Sequence, residues 1–409
     1  MSELRAGWQQ HELGEVVTHK KGFAFKSHRY LEAGVRIIRI SDTTRDSINN
    51  EHSVFLDENE AENFKQYRLN ENDIVLSTVG SRPHLLDSMV GKVILVPKSA
   101  AGSLLNQNLV KMIPKESKIT NRYLYEILKN RRFITYLSAL VRGNANQVSI
   151  SLSDIFNFQL VLPPIPEQKK IAQILSTWDQ AITATERLLE NSRQRKKGLM
   201  QQLLTGKKRL PGFEGEWKEL RLKELLSEEK TRNKDRSIGR VLSVTNHSGF
   251  VLPENQFSKR VASDDVSNYR VVRKGQYGYN PSRLNVGSFA RLDAFDEGLL
   301  SPMYVVFSVD ETRLHNDYFL NWMKSNEAKQ RIKGSTQGSV RDSVGFDALC
   351  SFPFRIPPLD EQKNISAVLV TADKEIQVIQ IRRDQLKQEK KALMQQLLTG
   401  KRRVQVEAP

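Results

Sequence analysis

The 409-residue chain has a single cysteine, Cys350, which excludes internal disulfides and any thiolate metal cluster. Its setting, Leu349-Cys350-Ser351-Phe352, predicts a buried packing residue. No apolar run approaches the roughly 18 residues of a membrane span, and Met1-Ser2-Glu3-Leu4-Arg5 lacks the apolar centre of a signal peptide. Both absences predict a cytoplasmic location and no membrane contact. The seven histidines have no paired metal-ligand spacing, and His11-Glu12 has no second histidine four residues on, so a zincin site is excluded. No glycine-rich cofactor loop follows a strand and no Walker sequence occurs. Tyr279-Asn280-Pro281-Ser282 lacks the second proline and the aromatic residue of the Asn-Pro-Pro-aromatic motif of adenine methyltransferases, and reads as a turn. Glu228-Glu229-Lys230 reads as charged surface rather than a nuclease centre. No catalytic residue, no metal ligand and no cofactor is therefore expected in this chain. Acidic charge is also short: 47 Asp and Glu face 63 Lys and Arg, a formal charge of +16, which favours a polyanionic partner.

What the chain has instead is a long segment written twice. The first copy opens Pro163-Pro164-Ile165-Pro166-Glu167-Gln168-Lys169 and closes Met200-Gln201-Gln202-Leu203-Leu204-Thr205-Gly206-Lys207. The second opens Pro357-Pro358-Leu359-Asp360-Glu361-Gln362-Lys363 and closes Met394-Gln395-Gln396-Leu397-Leu398-Thr399-Gly400-Lys401. The offset stays constant from end to end, so neither copy has an insertion. Apolar residues recur three and four apart at matching positions, as with Ile171, Leu175 and Leu203 against Ile365, Leu369 and Leu397, which predicts two long helices with a stripe to bury. Glu167 and Glu361 suit the positive helix start, while Gly206 and Gly400 suit left-handed terminators. About 40 residues at 1.5 Å each give about 60 Å, too long for one small core, so the stripes are expected to cover each other as an antiparallel coiled coil. Thr185, Ser192, Arg383 and Lys390 interrupt the stripe, where water or a partner protein is expected.

A globular segment precedes each helix. Trp8 to Val16 and Trp217 to Leu225 restart the same Trp and Leu spacing, and Asn121-Arg122-Tyr123-Leu124 is echoed by Asn316-Asp317-Tyr318-Phe319. Between those echoes the segments share little. In the first, 35–40, 74–77, 90–96 and 109–113 read as strands and 121–140 as one helix. In the second, 241–244, 276–279, 286–291 and 304–307 read as strands and about 317–329 as a helix. The fold class is therefore α+β: two similar mixed α/β domains with two long antiparallel helices in a pseudo-twofold internal repeat. The expected boundaries are a first domain over 1–162, a first long helix over 163–206, a turn-rich linker over 207–216, a second domain over 217–356, a second long helix over 357–403 and a tail over 404–409.

Six loops combine residue types that read nucleic acid. Arginine grips guanine through two hydrogen bonds, Asn and Gln do the same with adenine, and Lys, Ser and backbone amides suit phosphate. The residues expected at DNA are Thr43, Arg45, Ser81, Arg82, His84, Arg142, Asn144, Asn146 and Gln147 in the first domain. In the second they are Lys230, Arg232, Asn280, Ser282, Arg283, Ser335, Gln337 and Arg341. Ordinary solvated loops use the same residue types, so this assignment rests on the set rather than on any one loop.

The two Pro-Pro-x-x-Glu-Gln-Lys openings, the two Gln-Gln-Leu-Leu-Thr-Gly-Lys closings and the restarted Trp8 and Trp217 frames resemble the DNA specificity subunit of type I restriction-modification systems, over essentially the whole chain. The resemblance implies two target recognition domains, each reading one half of a bipartite double-stranded DNA site, with the helices as a ruler. It also implies two methylation subunits that dock on this chain and bind S-adenosylmethionine, and restriction/translocase subunits that use ATP and Mg. Half-sites about one helical turn, roughly 34 Å, apart would suit both domains on one DNA face. An enzyme acting alone and a scaffold indifferent to nucleic acid are the competing readings.

Overall fold

A computed structural model describes residues 7–44, 47–81, 90–140, 148–253, 265–336 and 343–406. The chain divides into two compact units, Met1–Thr185 with Arg382–Pro409, and Glu186–Ile381. Each unit thus holds one globular part and half of each long helix. The division falls inside the helices rather than at their ends, because each helix end is packed into a globular core.

The first unit is built on a four-stranded antiparallel sheet in the order Val17–Lys21, Leu109–Pro114, Ile74–Ser77, Val93–Leu95. Side chains alternate across it with period two: Ile74, Leu76, Val110 and Met112 face one apolar cluster, and Val75, Ile94 and Leu109 face another. Strand Gln9–Glu12 pairs with Gln159–Leu162, so the start of the domain is tied to the residues that lead into the first long helix. The second unit repeats the plan with Leu226–Glu228, Val305–Val309, Tyr277–Tyr279 and Phe289–Arg291 in that sheet order. Lys218–Arg221 pairs with Pro353–Ile356 ahead of the second long helix. Tyr277, Tyr279 and Phe307 lie on one face, and Val306 and Ala290 on the other.

The strands over 74–77 and 109–114 match the sequence reading closely. Each single helix expected after the last central strand is instead two. Asn121–Lys129 and Arg131–Leu140 are separated at Asn130, whose backbone is extended and whose Oδ1 accepts from Arg132 N at 2.9 Å to start the next helix. Asn316–Met323 and Asn326–Thr336 are separated at 324–325, where Ser325 Oγ accepts from Ala328 N. A local side-chain cap competes with helix continuation in both cases.

The long helices span Ile165–Leu203 and Leu359–Leu397, 39 residues and about 58 Å each. Past their ends, Gly206 and Gly400 take φ of +69° and +66°, and Lys208 N and Arg402 N donate back to Gln202 O and Gln396 O, the left-handed stop the glycines allow. In the first unit Ile171 and Leu175 share a core with Leu397; in the second Leu203 shares one with Ile365 and Leu369. The start of one helix therefore lies with the end of the other in both units, the antiparallel arrangement. The polar positions on the stripe are taken by partners within the chain: Lys390 Nζ meets Asp179 at 2.7 Å, and Ser192 Oγ donates to Glu375 at 3.1 Å.

The duplicated Glu-Gln pair does the same work twice. Gln168 is buried, donates to Lys118 O and Pro163 O and accepts from Thr120 N. Gln362 donates to Arg313 O and Pro357 O and accepts from His315 N. Each Gln thereby ties the start of a long helix to the turn before a domain helix. Glu167 pairs with Arg403 at 2.8 Å, and Glu361 with Arg209 and the Trp217 indole. Cys350 is buried as expected, and burial pushes its thiol up to about 11.

Candidate nucleic-acid interface

In the second unit the central strand Tyr277–Tyr279 ends in a turn dictated by its own sequence. Asn280 Oδ1 accepts from Ser282 N at 3.0 Å, and Pro281 opens the 3-10 turn Pro281–Arg283. Leu284 anchors the loop in the core, while Ser282, Arg283 and Val286 are exposed. Val344 N donates to Pro281 O at 3.0 Å, so the chain leaving the 337–342 stretch returns to this turn. Val344 thus lies against the turn that carries Asn280, Ser282 and Arg283, 63 residues from Pro281. Burial holds the Tyr279 phenol neutral beneath the turn by raising its pKa. Glu229 N donates to Val306 O, which brings exposed Lys230 to the end of the sheet where Val305 begins; its Nζ also meets Glu228 at 3.2 Å.

The first unit contains the same junction. Leu76 lies opposite Val110 as Tyr279 lies opposite Val305, so the residues after Ser77 correspond to those after Asn280. Ile150 N donates to Thr78 O at 3.1 Å, the counterpart of the bond from Val344 to Pro281. Val79–Gly80 pairs with Val148–Ser149, which joins the bases of the 81–84 and 142–147 stretches. A third stretch is tied in by Lys92, which is buried and donates from Nζ to Thr43 O at 2.6 Å. Asp42 beneath it is buried and held by Arg39 Nη2 at 2.9 Å. Thr43 and the described residues 78–80 and 148–150 are therefore tied together, although 49 residues separate Thr43 from Lys92.

Of the residues expected from sequence, Arg45, Arg82, His84, Arg142, Asn144, Asn146, Gln147, Gln337 and Arg341 lie outside the described residues. Thr43 is buried and its hydroxyl donates to Ile40 O at 2.7 Å, so it supports its loop from below. Ser81 accepts at its carbonyl from Val90 N and closes the base of its loop. Arg232 is exposed and donates to Asn268 O at 3.1 Å, alongside strand Arg270–Arg273. Ser335 sits in the helix Asn326–Thr336 and donates to Ile332 O. Sequence reading missed Asn246 and His247, exposed at the turn between Ser243–Thr245 and Gly249–Val251. A Cβ on Gly287 would stand 3.7 Å from Asn246 Cβ, so this turn abuts the Arg283 loop. The hairpin signal was in the sequence: a Thr-Asn-His-Ser-Gly turn between Val244 and Phe250.

Among the described residues no helix is long and apolar enough to cross a membrane, and no group of three or more His, Cys, Asp or Glu could hold a metal ion. A family model described as "Type I restriction modification DNA specificity domain" matches residues 5–191 and 282–388, more than half of the chain. The chain is 25% identical to the putative type I restriction enzyme MjaX specificity subunit of Methanocaldococcus jannaschii, over 99% of this chain and 96% of that protein. It is 30% identical to the MjaVIII specificity subunit of the same organism over 51% of this chain and 48% of that one. Against the EcoAI specificity subunit of Escherichia coli it is 28% identical over 46% of this chain and 30% of that one. In fold it resembles the crystal structure of the type I restriction-modification S subunit from M. genitalium, with a TM-score of 0.58, 12% identity and 97% coverage of both chains. A second solved structure, from work on complex assembly and conformational transition of the type I R-M system, gives 0.57 at 17% identity, covering 97% of this chain and 99% of that one.

Two domains of like plan, two like long helices and paired loop junctions define an internally duplicated two-domain protein. The chain belongs to the type I restriction-modification DNA specificity family, as a specificity subunit and not the catalyst.

Proposed function

We propose that each globular part reads one half of a bipartite duplex DNA target, that the long helices set the gap between the halves, and that they seat two methylation subunits. The observation that carries this reading is the repeated junction, Ile150 to Thr78 and Val344 to Pro281. The same backbone bond gathers different loop contents twice, as an asymmetric two-part target needs. The matched helix starts at Gln168 and Gln362 suit two identical partners related by a pseudo-twofold axis. S-adenosylmethionine then belongs to the methylation subunits, and ATP with Mg to restriction subunits.

The test is to assemble the chain with its methylation partners and map modified bases. The expected outcome is a split motif, and a single unsplit motif would overturn the reading. Arg283→Ala should relax preference at one position of one half only, by about 1–3 kcal/mol if the arginine grips a base. Equal weakening on every sequence would move Arg283 to phosphate. Residues inserted near 204–206 should change the gap and leave the bases unchanged.

A further inference from the structure

The second unit carries two exposed apolar side chains where a DNA-reading surface is otherwise polar. Met303 is 63% and Val286 61% exposed. Each sits in a loop at the same end of the four-stranded sheet, because Tyr279 is flanked on one side by Phe289 and on the other by Val305. The loop over 280–288 and the loop over 301–304 therefore leave from neighbouring strands, about 5 Å apart. Asn280 Nδ2 donates to Met303 Sδ at 3.6 Å while its Oδ1 caps Ser282 N, so the turn holds the thioether in place. Exposed apolar residues scattered singly need no explanation, but these two flank Arg283 and Asn280 in a chain of charge +16. In the first unit, the position matching Met303 is Asn108, whose carbonyl accepts from Thr78 N. The frame is shared, and at this position the first unit carries an amide in place of the thioether.

We propose that Met303 and Val286 read thymine 5-methyl groups in the major groove of the half-site bound by the second domain. The inference rests on the DNA-reading function above. A thymine methyl is the one apolar feature a base pair presents in the major groove, and apolar side chains are its natural partners. The Asn280 amide, bonded to the thioether and to its own turn, positions Met303 beside the Arg283 loop. Charge supplies the approach to the duplex, and the apolar tips supply discrimination against cytosine and uracil.

The test uses the full chain assembled with its methylation subunits and the target duplex found by base mapping. Each thymine of the second-domain half-site is replaced in turn by deoxyuridine, which removes only the methyl. Binding should weaken about three- to fivefold at one or two positions, the scale of one buried methyl group. Met303→Asn, the residue of the first unit, and Val286→Ser should abolish that sensitivity while leaving the first half-site unaffected. Indifference to deoxyuridine throughout the half-site, or a half-site without thymine, overturns the methyl contact. Loss of preference for the target over a scrambled duplex would instead sink the DNA-reading function itself, so the two failures are distinct.

Discussion

The two units meet their long helices through corresponding residues that carry different charges. In the first unit Glu126 is fully buried, with Arg122 Nη2 at 2.9 Å and Lys390 Nζ at 3.4 Å. Lys390 also holds Asp179. In the second unit the matching position is Asn321, whose Nδ2 donates to Asp317 O, and Lys196 meets only Asp373 of the equivalent acids, at 2.5 Å. The reciprocal lysine-aspartate pair is therefore kept and the buried carboxylate is not. What the frame requires is the helix-to-helix ion pair and the glutamine staple. The residue behind them is free to change from an acid to an amide, provided it stays partnered.

The largest expected contrast is at the helix starts. Glu361 is fully buried and satisfies both Arg209, 24% exposed, and the buried Trp217 indole. Glu361→Ala leaves the Trp217 indole without its acceptor and Arg209 with only Gly215 O and Glu214 O, and should cost about 2–3 kcal/mol. Glu167 meets Arg403, which is 45% exposed and can return to water. Among the described residues Trp8 Nε1 finds no hydrogen-bond partner. Glu167→Ala should therefore cost only about 1 kcal/mol. Urea unfolding of the full chain checks the pair, and equal losses would erase the difference between the two starts.

A smaller contrast separates the two lysines. Lys390→Met strips a buried carboxylate of a cation and should cost about 2 kcal/mol. Lys196→Met removes a pair with half-exposed Asp373 and also relieves Lys324, whose ammonium is disfavoured first by burial and then by Lys196. It should cost under about 1 kcal/mol. Thermal unfolding of both variants side by side is the measurement, and a larger loss at Lys196 would reverse the assignment.

The smallest effect is in pH dependence. Burial pushes Glu126 above the ordinary glutamate value of 4.5, against the opposing pull of Lys390 and Arg122. Between 4.5 and its raised value the folded chain keeps a proton that the unfolded chain has released. Stability contributed by this group is thus present at low pH and is lost as pH rises through the interval. Glu126→Gln should flatten that slope in unfolding measured from pH 4.5 upward, making the first unit resemble the second with its Asn321. An unchanged slope would mean that the carboxylate is already ionised in the fold.

Both long helices were legible from sequence because a repeat at constant offset, proline before and glycine after, is written in local chemistry. So was the strand over 74–77, where four consecutive apolar or small residues are flanked by turn formers. The helix breaks at Asn130 and Ser325 were not, because apolar spacing runs on through them and the decision is made by one side-chain cap. The strand expected over 286–291 begins only at Phe289. Gly287 takes φ +89° and Ser288 Oγ turns to Val244 O, and this is what leaves Val286 exposed.

By itself the sequence determined the duplication, the two helices with their stops, the charge and the family, since each is read from local patterns, their repetition or a sum over the chain, with no long-range contact needed. Only the tertiary structure decided which loop bases lie together. The bonds that gather them, Lys92 to Thr43, Ile150 to Thr78 and Val344 to Pro281, close over 49 to 72 residues. Such contacts leave no periodic mark in a sequence, because their strength comes from a backbone held in register by cores elsewhere.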